Sequence, residues 1–274
     1  MELYSVLMTV YQRENPVFLE QAIQSILDQT VKTDDFVLVC DGPLSAELDE
    51  VINRFIATHP GIFNVLRLAQ NQGIGAAANA GLAVCKHDLI ARMDADDISV
   101  PTRCESQLKR FAEIPHLTVL GGDIEEFDTD PDAPYAIRQV PRTNADIRIF
   151  ARRRQPFNNV TVMMRKRAIS SVGGYRSLRR NEDYDLFIRL LHKEFYAENL
   201  DKALVKVRVD KSASKRRSGL ATFQGTIRSR WNACRIGYSS LYDFLYCSAG
   251  AFFLLICPGK MQELIYSKLL RKKA

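Results

Sequence analysis

Asp94, Asp96 and Asp97 stand within four residues of one another in IARMDADD, and Asp41 closes a second stretch, FVLVCDGP. Both stretches share a layout, an apolar run of strand length (89–93 and 36–40) that stops at acid. In an open α/β sheet, ligands sit in the crevice beyond the carboxyl ends of the strands. Three neighbouring carboxylates repel one another unless a cation or a bound donor compensates. A hard divalent ion with a phosphorylated ligand does so: one carboxylate coordinates Mg2+ or Mn2+, another contacts a ribose or the metal's water, and the ion bridges the two phosphates of a nucleotide. The competing account is a helix-capping turn ahead of Ser99 and Pro101, but capping needs one side chain rather than three.

Glu182 and Asp183 follow Asn181 and open an amphipathic stretch. Acids in a first helical turn complement the helix dipole. A general base held at a helix start, its pKa raised by its acidic neighbour, would look the same in sequence. Spacing alone does not choose between them. Arg216 and Arg217 are either a solvated charge run or a lid that folds over a diphosphate; Trp231 is given no role. Gly73-x-Gly75-x-x-Ala78, with Asp94 21 residues after Gly73, has the outline of a dinucleotide fingerprint and would make the chain an NAD-dependent oxidoreductase. Two details oppose it. Residues 69–72 intervene where that fingerprint turns tightly, and a nicotinamide site wants a single carboxylate, not one of a cluster.

The elements that position these residues alternate. LYSVLMTV, FVLVC, FNVLRL and LIARM read as strands. Between them lie a helix capped by Asn15 with Pro16 in its first turn and Phe18, Ala22, Ile23, Ile26 and Leu27 inward, a helix over 45–58, and a small-residue helix over 73–84. This predicts an α/β fold, a Rossmann-like, mostly parallel sheet flanked by helices. After Pro101 the spacing predicts a helix over 102–113, strand LTVLGG, a polar loop at 128–134, strand YAIRQV, a helix over 143–152, strand VTVMM (160–164), a helix from about 182 with Leu186, Phe187, Leu190 and Leu191 on one face, and strand ALVKVRV (203–209). The expected division is a globular body over 1–210, split at 97/98 where the rhythm changes, and a basic helical region over 211–274.

With 274 residues, 46% hydrophobic and 26% charged, the chain can bury a large core. Its six cysteines have no zinc-type spacing and its four histidines are scattered, so reduced structural thiols are expected. No secretory leader pattern opens it, and a cytoplasmic protein is expected. Residues 201–274 hold 15 Lys/Arg and 4 Asp/Glu, a net of +11, leaving residues 1–200 at −5. That tail suggests an anionic surface as partner, nucleic acid or membrane. The uncharged run 244–257, 14 residues, is too short to span a bilayer, and the last stretch, from Lys260, has the pattern of a helix lying on a membrane surface. Few aromatics punctuate the basic stretch, so a membrane rather than nucleic acid is expected.

Taken in order, SVLMTVYQREN, FVLVCDGP, NQGIGAAANAG, IARMDADDISVPTR and VGGY…NEDYDLFIRL resemble the blocks of a family-two inverting glycosyltransferase with the type A, nucleotide-diphospho-sugar fold, over about residues 3–210. The resemblance implies a nucleotide pocket lined by Thr9, Tyr11 and Glu14, Asp41 at the uracil ring, Asn71 and Gly73 on the nucleoside side, and Arg92 and Asp94 at the ribose and donor sugar. It implies Asp96 on Mn2+ or Mg2+, Asp94 and Asp97 being the further candidates, and Asp183, beside Glu182, as the base that deprotonates an acceptor hydroxyl. A UDP-sugar would be the donor, the product a β-linkage. A nucleotidyltransferase, the related alternative, would want a glycine-rich basic loop where this chain has VYQREN. Processive members carry Q-x-x-R-W; here Ile227-Arg228-Ser229-Arg230-Trp231 has Ile in place of Gln, implying one sugar added per encounter. Chains of this pattern resemble enzymes that build O-antigen or exopolysaccharide units on a polyprenyl-diphosphate carrier at the inner face of the cell membrane.

Overall fold

The computed structural model describes residues 2–178, 180–209, 220–257 and 272–273. The terminal amphipathic segment, apart from Lys272 and Lys273, and the pair Arg216–Arg217 lie outside them. Strands β1 (Tyr4–Val10), β2 (Asp35–Cys40), β3 (Phe63–Arg67) and β4 (Leu89–Asp94) alternate with α1 (Pro16–Leu27), α2 (Ala46–Thr58) and α3 (Ile74–Val84). The four strands pair in parallel in the order β3-β2-β1-β4. β2 is buried along its whole length, as expected of a strand covered by helices on both faces. Asn15 caps α1 by accepting the Val17 N–H at 2.9 Å, and Pro16 fills the first turn. On α1 the core is built by Leu19, Ala22, Ile23 and Ile26. Phe18 is displaced to the rim, where the Arg208 guanidinium lies 3.9 Å above its ring.

The small residues of α3 matter at Gly81. A Cβ there would land on Leu7 Cδ1 and 2.7 Å from Val39 Cγ2, so glycine lets the helix sit directly on β1 and β2.

Beyond β4 the sheet changes sense. β5 (Ile98–Ser99) and α4 (Arg103–Glu113) lead to β6 (Leu117–Phe127), then β7 (Ala136–Arg138), α5 (Asn144–Ala151), β8 (Met163–Arg165), α6 (Lys166–Ser171), α7 (Glu182–His192) and β9 (Tyr196–Arg208). β8 runs antiparallel between β4 and β6, while β9 runs parallel to β6. The strand expected over 160–164 is instead a 3-10 turn at Asn159–Thr161 followed by β8. Side chains decide this: Thr161 Oγ1 donates to Asn158 O at 2.7 Å and accepts the Gly122 N–H at 3.1 Å, diverting the chain from ladder pairing.

Two further helices, α8 (Leu220–Arg235) and α9 (Leu241–Ile256), follow, and within the region expected to be helical Lys272–Lys273 form instead a short strand antiparallel to β7. Ser240 and Asp243 form a capping box at the start of α9. The uncharged run is therefore mostly helical, and it packs along α8 with Leu241, Tyr242, Leu245, Phe252 and Ile256 exposed. No helix of the described residues is long and apolar enough to cross a membrane.

Candidate active site

Parallel pairing sets Thr9 opposite Asp94 and Val10 opposite Cys40, so β1, β2 and β4 end on one rim. Beyond that rim lies a cavity of about 560 Å3, lined by Thr9, Tyr11, Glu14, Asp41, Asn71, Gly73, Asp94, Asp96 and Arg180. Asp41 is committed to the loop before α3. Its oxygens accept the backbone N–H groups of Gln72 at 2.7 Å and Gly73 at 3.0 Å, and Asn71 Nδ2 donates to the Asp41 carbonyl. Gly73, at φ 88°, supplies the left-handed turn that permits this. Arg92 does not line the cavity. It is fully buried beneath it, donating to the Met93 carbonyl at 2.7 Å and pairing with Asp94 at 3.0 Å. Arg103, equally buried, braces it from behind through the Arg92 carbonyl at 2.7 Å. Arg92 thus fixes Asp94 rather than reaching a ligand.

The three acids do not converge. Asp96 faces the first cavity and Asp97 a second one, its Oδ1 accepting the Arg208 N–H at 2.9 Å, while Asp94 lines both. Among the described residues no group of three or more His, Cys, Asp and Glu side chains forms a metal cage. That chemistry still suits Mn2+ or Mg2+ carried in with a diphosphate, since such ions take one or two carboxylates and complete their shell with phosphate and water. Asp94 and Asp96 would supply the hard oxygens, and Arg180 brings a cation to the same wall.

The second cavity, about 510 Å3, shares Asp94 with the first and is lined further by Gln155, Asn158, Asn181, Asp183, Tyr184, Thr226 and Arg230. Asn181 adopts a left-handed conformation (φ 62°, ψ 29°) and its Nδ2 donates to Thr226 Oγ1 at 3.0 Å. This turn starts α7 with Asp183 at the cavity wall, while its neighbour Glu182 lines neither cavity. Asp183 accepts from Gln155 Nε2 at 2.6 Å and from the Tyr184 N–H at 2.7 Å. The two halves are locked by Asn79 of α3, which exchanges two hydrogen bonds with the Tyr175 backbone (2.7 and 2.8 Å).

Residues 5–179 match Glycosyl transferase family 2. The chain belongs to that family. It is 33% identical over 98% of its length to the Escherichia coli UDP-Gal:alpha-D-GlcNAc-diphosphoundecaprenol beta-1,3-galactosyltransferase, covering 97% of that protein. It is 37% identical over 97% of its length to the amylovoran biosynthesis glycosyltransferase AmsE of Erwinia amylovora, covering 98%. In fold it is similar to the mannosyltransferase PcManGT of Pyrobaculum calidifontis, solved with GDP-Man and Mn2+, at a TM-score of 0.68 and 13% identity, over 98% of this chain and 76% of that one. The fold expectation, a type A glycosyltransferase sheet flanked by helices, is met.

The electrostatics of the glycosyltransferase separate its carboxylates. Burial, then the adjacent Asp183 charge, push Glu182 up to about 7. Asp183 is also raised, first by desolvation; its hydrogen bonds from Tyr184 and Gln155 oppose that, and the Asp94 charge adds to it. Asp97 is held well above the usual carboxylate range by burial and by the charges of Asp96 and Asp94. Tyr175 is pushed up to about 12, and its buried hydroxyl has no hydrogen-bond partner among the described residues. Gln155, Tyr175, Arg180 and Arg230 were not singled out by sequence. Two of them had a signal: Arg230 stands beside Trp231 in the Q-x-x-R-W window, and Tyr175 closes the VGGY block.

Proposed function

We propose that this glycosyltransferase moves a hexose from a UDP-sugar to a hydroxyl of a polyprenyl-diphosphate-linked saccharide. The setting is synthesis of a bacterial surface polysaccharide, at the inner face of the cytoplasmic membrane. The observation that carries the reading is the pair of cavities meeting at Asp94, with Asp183 on the wall of the second. The UDP donor and lipid-diphosphate acceptor are supported by the printed activity of the E. coli relative, matched along nearly the whole of both chains.

The residues divide the work. Thr9, Tyr11, Glu14, Asn71 and the loop held by Asp41 surround the nucleoside. Asp96, with Asp94, would hold Mn2+ or Mg2+, which neutralises charge developing on the departing diphosphate. Asp94, fixed by Arg92, marks the anomeric centre where the two cavities join. Asp183 accepts the proton of the acceptor hydroxyl as that oxygen attacks from the second cavity, opposite the leaving UDP, so an α donor gives a β product. Its raised pKa makes it a stronger base than an exposed aspartate, and its two hydrogen-bond donors orient it. The isoleucine in place of the Q-x-x-R-W glutamine supports transfer of one sugar per encounter.

UDP-hexoses should be screened, with Mn2+ or Mg2+, against a synthetic GlcNAc-diphospho-lipid, and the product linkage determined by NMR. Formation of one β-linked disaccharide is expected. An α-linked product would overturn the inverting mechanism, and no transfer from any UDP-sugar would overturn the donor class.

A further inference from the structure

A third cavity, of about 550 Å3, lies between α8 and α9 and is lined by Arg153, Phe223, Tyr246, Gly250, Ala251 and Leu254 among others. It shares Thr222, Thr226 and Arg230 with the cavity that holds Asp183, so the two adjoin along α8. Arg230 stands at the junction. Its guanidinium lies 3.7 Å over the Tyr184 ring, while its Nε and Nη1 are buried without a hydrogen-bond partner among the described residues. Burying guanidinium N–H groups without an acceptor is costly, and phosphate oxygens match their geometry. Beyond this cation the walls turn aliphatic and aromatic. Arg153, ion-paired with Asp243 and lying 5.1 Å over the Tyr246 ring, marks the rim.

The order along this path is base, cation, apolar groove. A molecule that follows it carries a hydroxyl on a sugar, a phosphate group beyond the sugar, and a hydrocarbon chain beyond the phosphate. We propose that the α8–α9 groove receives the first isoprene units of the acceptor's lipid and that Arg230 holds its diphosphate. This rests on the acceptor class proposed above and assigns that acceptor a tail subsite. The occupant is the isoprenoid chain itself, not the bilayer surface, because the groove adjoins the acceptor cavity at a cation with unfilled hydrogen-bonding capacity. Gly250 gives the means of testing it: it lines the groove, and a Cβ built there meets nothing within 4 Å, so a larger side chain can be placed at the groove's edge, with a gain in helix propensity.

Binding of farnesyl diphosphate and of inorganic pyrophosphate to the full chain, with UDP saturating the donor cavity, is the experiment. The wild type should bind farnesyl diphosphate more tightly than pyrophosphate. Gly250→Leu should weaken farnesyl diphosphate about tenfold, the loss of about two methylene contacts, and leave pyrophosphate unchanged. Arg230→Gln should weaken both, and retained UDP binding shows that each variant is folded. Equal affinity of the wild type for the two probes, or indifference of farnesyl diphosphate to Gly250→Leu, overturns the assignment. So does a Gly250→Leu protein that loses flotation with isoprenoid-free vesicles but keeps its farnesyl diphosphate affinity, since the groove would then serve the membrane. Transfer assays separate this from the proposed function. A wild type that transfers to no lipid diphosphate but binds farnesyl diphosphate through Gly250 refutes the function and leaves the groove standing. Transfer indifferent both to tail length and to Gly250→Leu does the reverse.

Discussion

At the residue scale, the division of labour among the acids makes opposed predictions for neighbouring side chains. Asp183→Asn keeps the shape and one acceptor oxygen but cannot take a proton. Transfer should fall by about 10^2–10^4-fold, while UDP affinity, measured by calorimetry, stays within about twofold of wild type. The pH dependence follows from the raised pair. The base works when deprotonated, so kcat/KM should fall as pH drops through the titration of Asp183, which burial raises above the usual carboxylate range. Glu182→Gln removes the neighbouring charge, and the acid limb should move to lower pH. Asp97 differs. A carboxyl whose folded pKa is raised contributes stability below its unfolded pKa and loses it as pH rises through the folded one. Asp97→Asn keeps an acceptor for the Arg208 N–H and removes that loss. It should raise Tm at pH 8 by about 1–3 °C, with the gain vanishing near pH 4 and Mn2+-dependent UDP binding retained. A lowered Tm at pH 8 would show that the Asp97 charge is needed for the fold.

At the element scale, the strand ends and the helices after them were legible because hydrophobic period and turn chemistry agree there. FVLVC and LIARM became β2 and β4, and Asn15-Pro16 opened α1 as its chemistry required. The 3-10 turn at Asn159–Thr161 was not legible, since the Gly122, Asn158 and Thr161 bonds that impose it join residues far apart in the chain. Nor was the placement of Arg92: the resemblance implied a ligand contact, but β1 and β4 bury it and leave Asp94 to face the cavity. Gln155 carried no motif at all, and only the packing of α7 brings it against Asp183. The glycine-rich α3, whose fingerprint-like spacing suggested another cofactor, is explained by packing. Gly81→Ala should cost about 1–3 kcal/mol in urea unfolding, because the β1 and β2 side chains under it have no room to give. It should also weaken UDP binding, since shifting α3 pulls the Gln72 and Gly73 N–H groups off Asp41. Unfolding at the wild-type midpoint would show that the helix seat relaxes at no cost.

At the scale of the whole molecule, the basic end of the chain and the catalytic half carry opposite charge, a net of +11 over residues 201–274 against −5 over 1–200. α8 and α9 belong to the basic end. One side of α9 faces the groove, and the other presents Leu245, Phe252 and Ile256, more than half exposed and spaced seven and four residues apart on one helical face. Isolated exposed apolar side chains are ordinary, but a contiguous face of them beside a basic segment is what an interfacial helix offers a bilayer. Attraction of the basic end to anionic lipid and burial of this face should act together, so the full chain should float with anionic vesicles and less so as salt rises. Replacing Leu245, Phe252 and Ile256 together by Glu should abolish flotation. Transfer to a short-tailed, water-soluble acceptor should continue, because none of the three lines any of the cavities described. A gel-shift assay with DNA supplies the opposing arm. Were the basic end a nucleic-acid clamp, the triple variant would shift DNA as the wild type does and would float no differently from it; loss of flotation alone assigns the face to lipid.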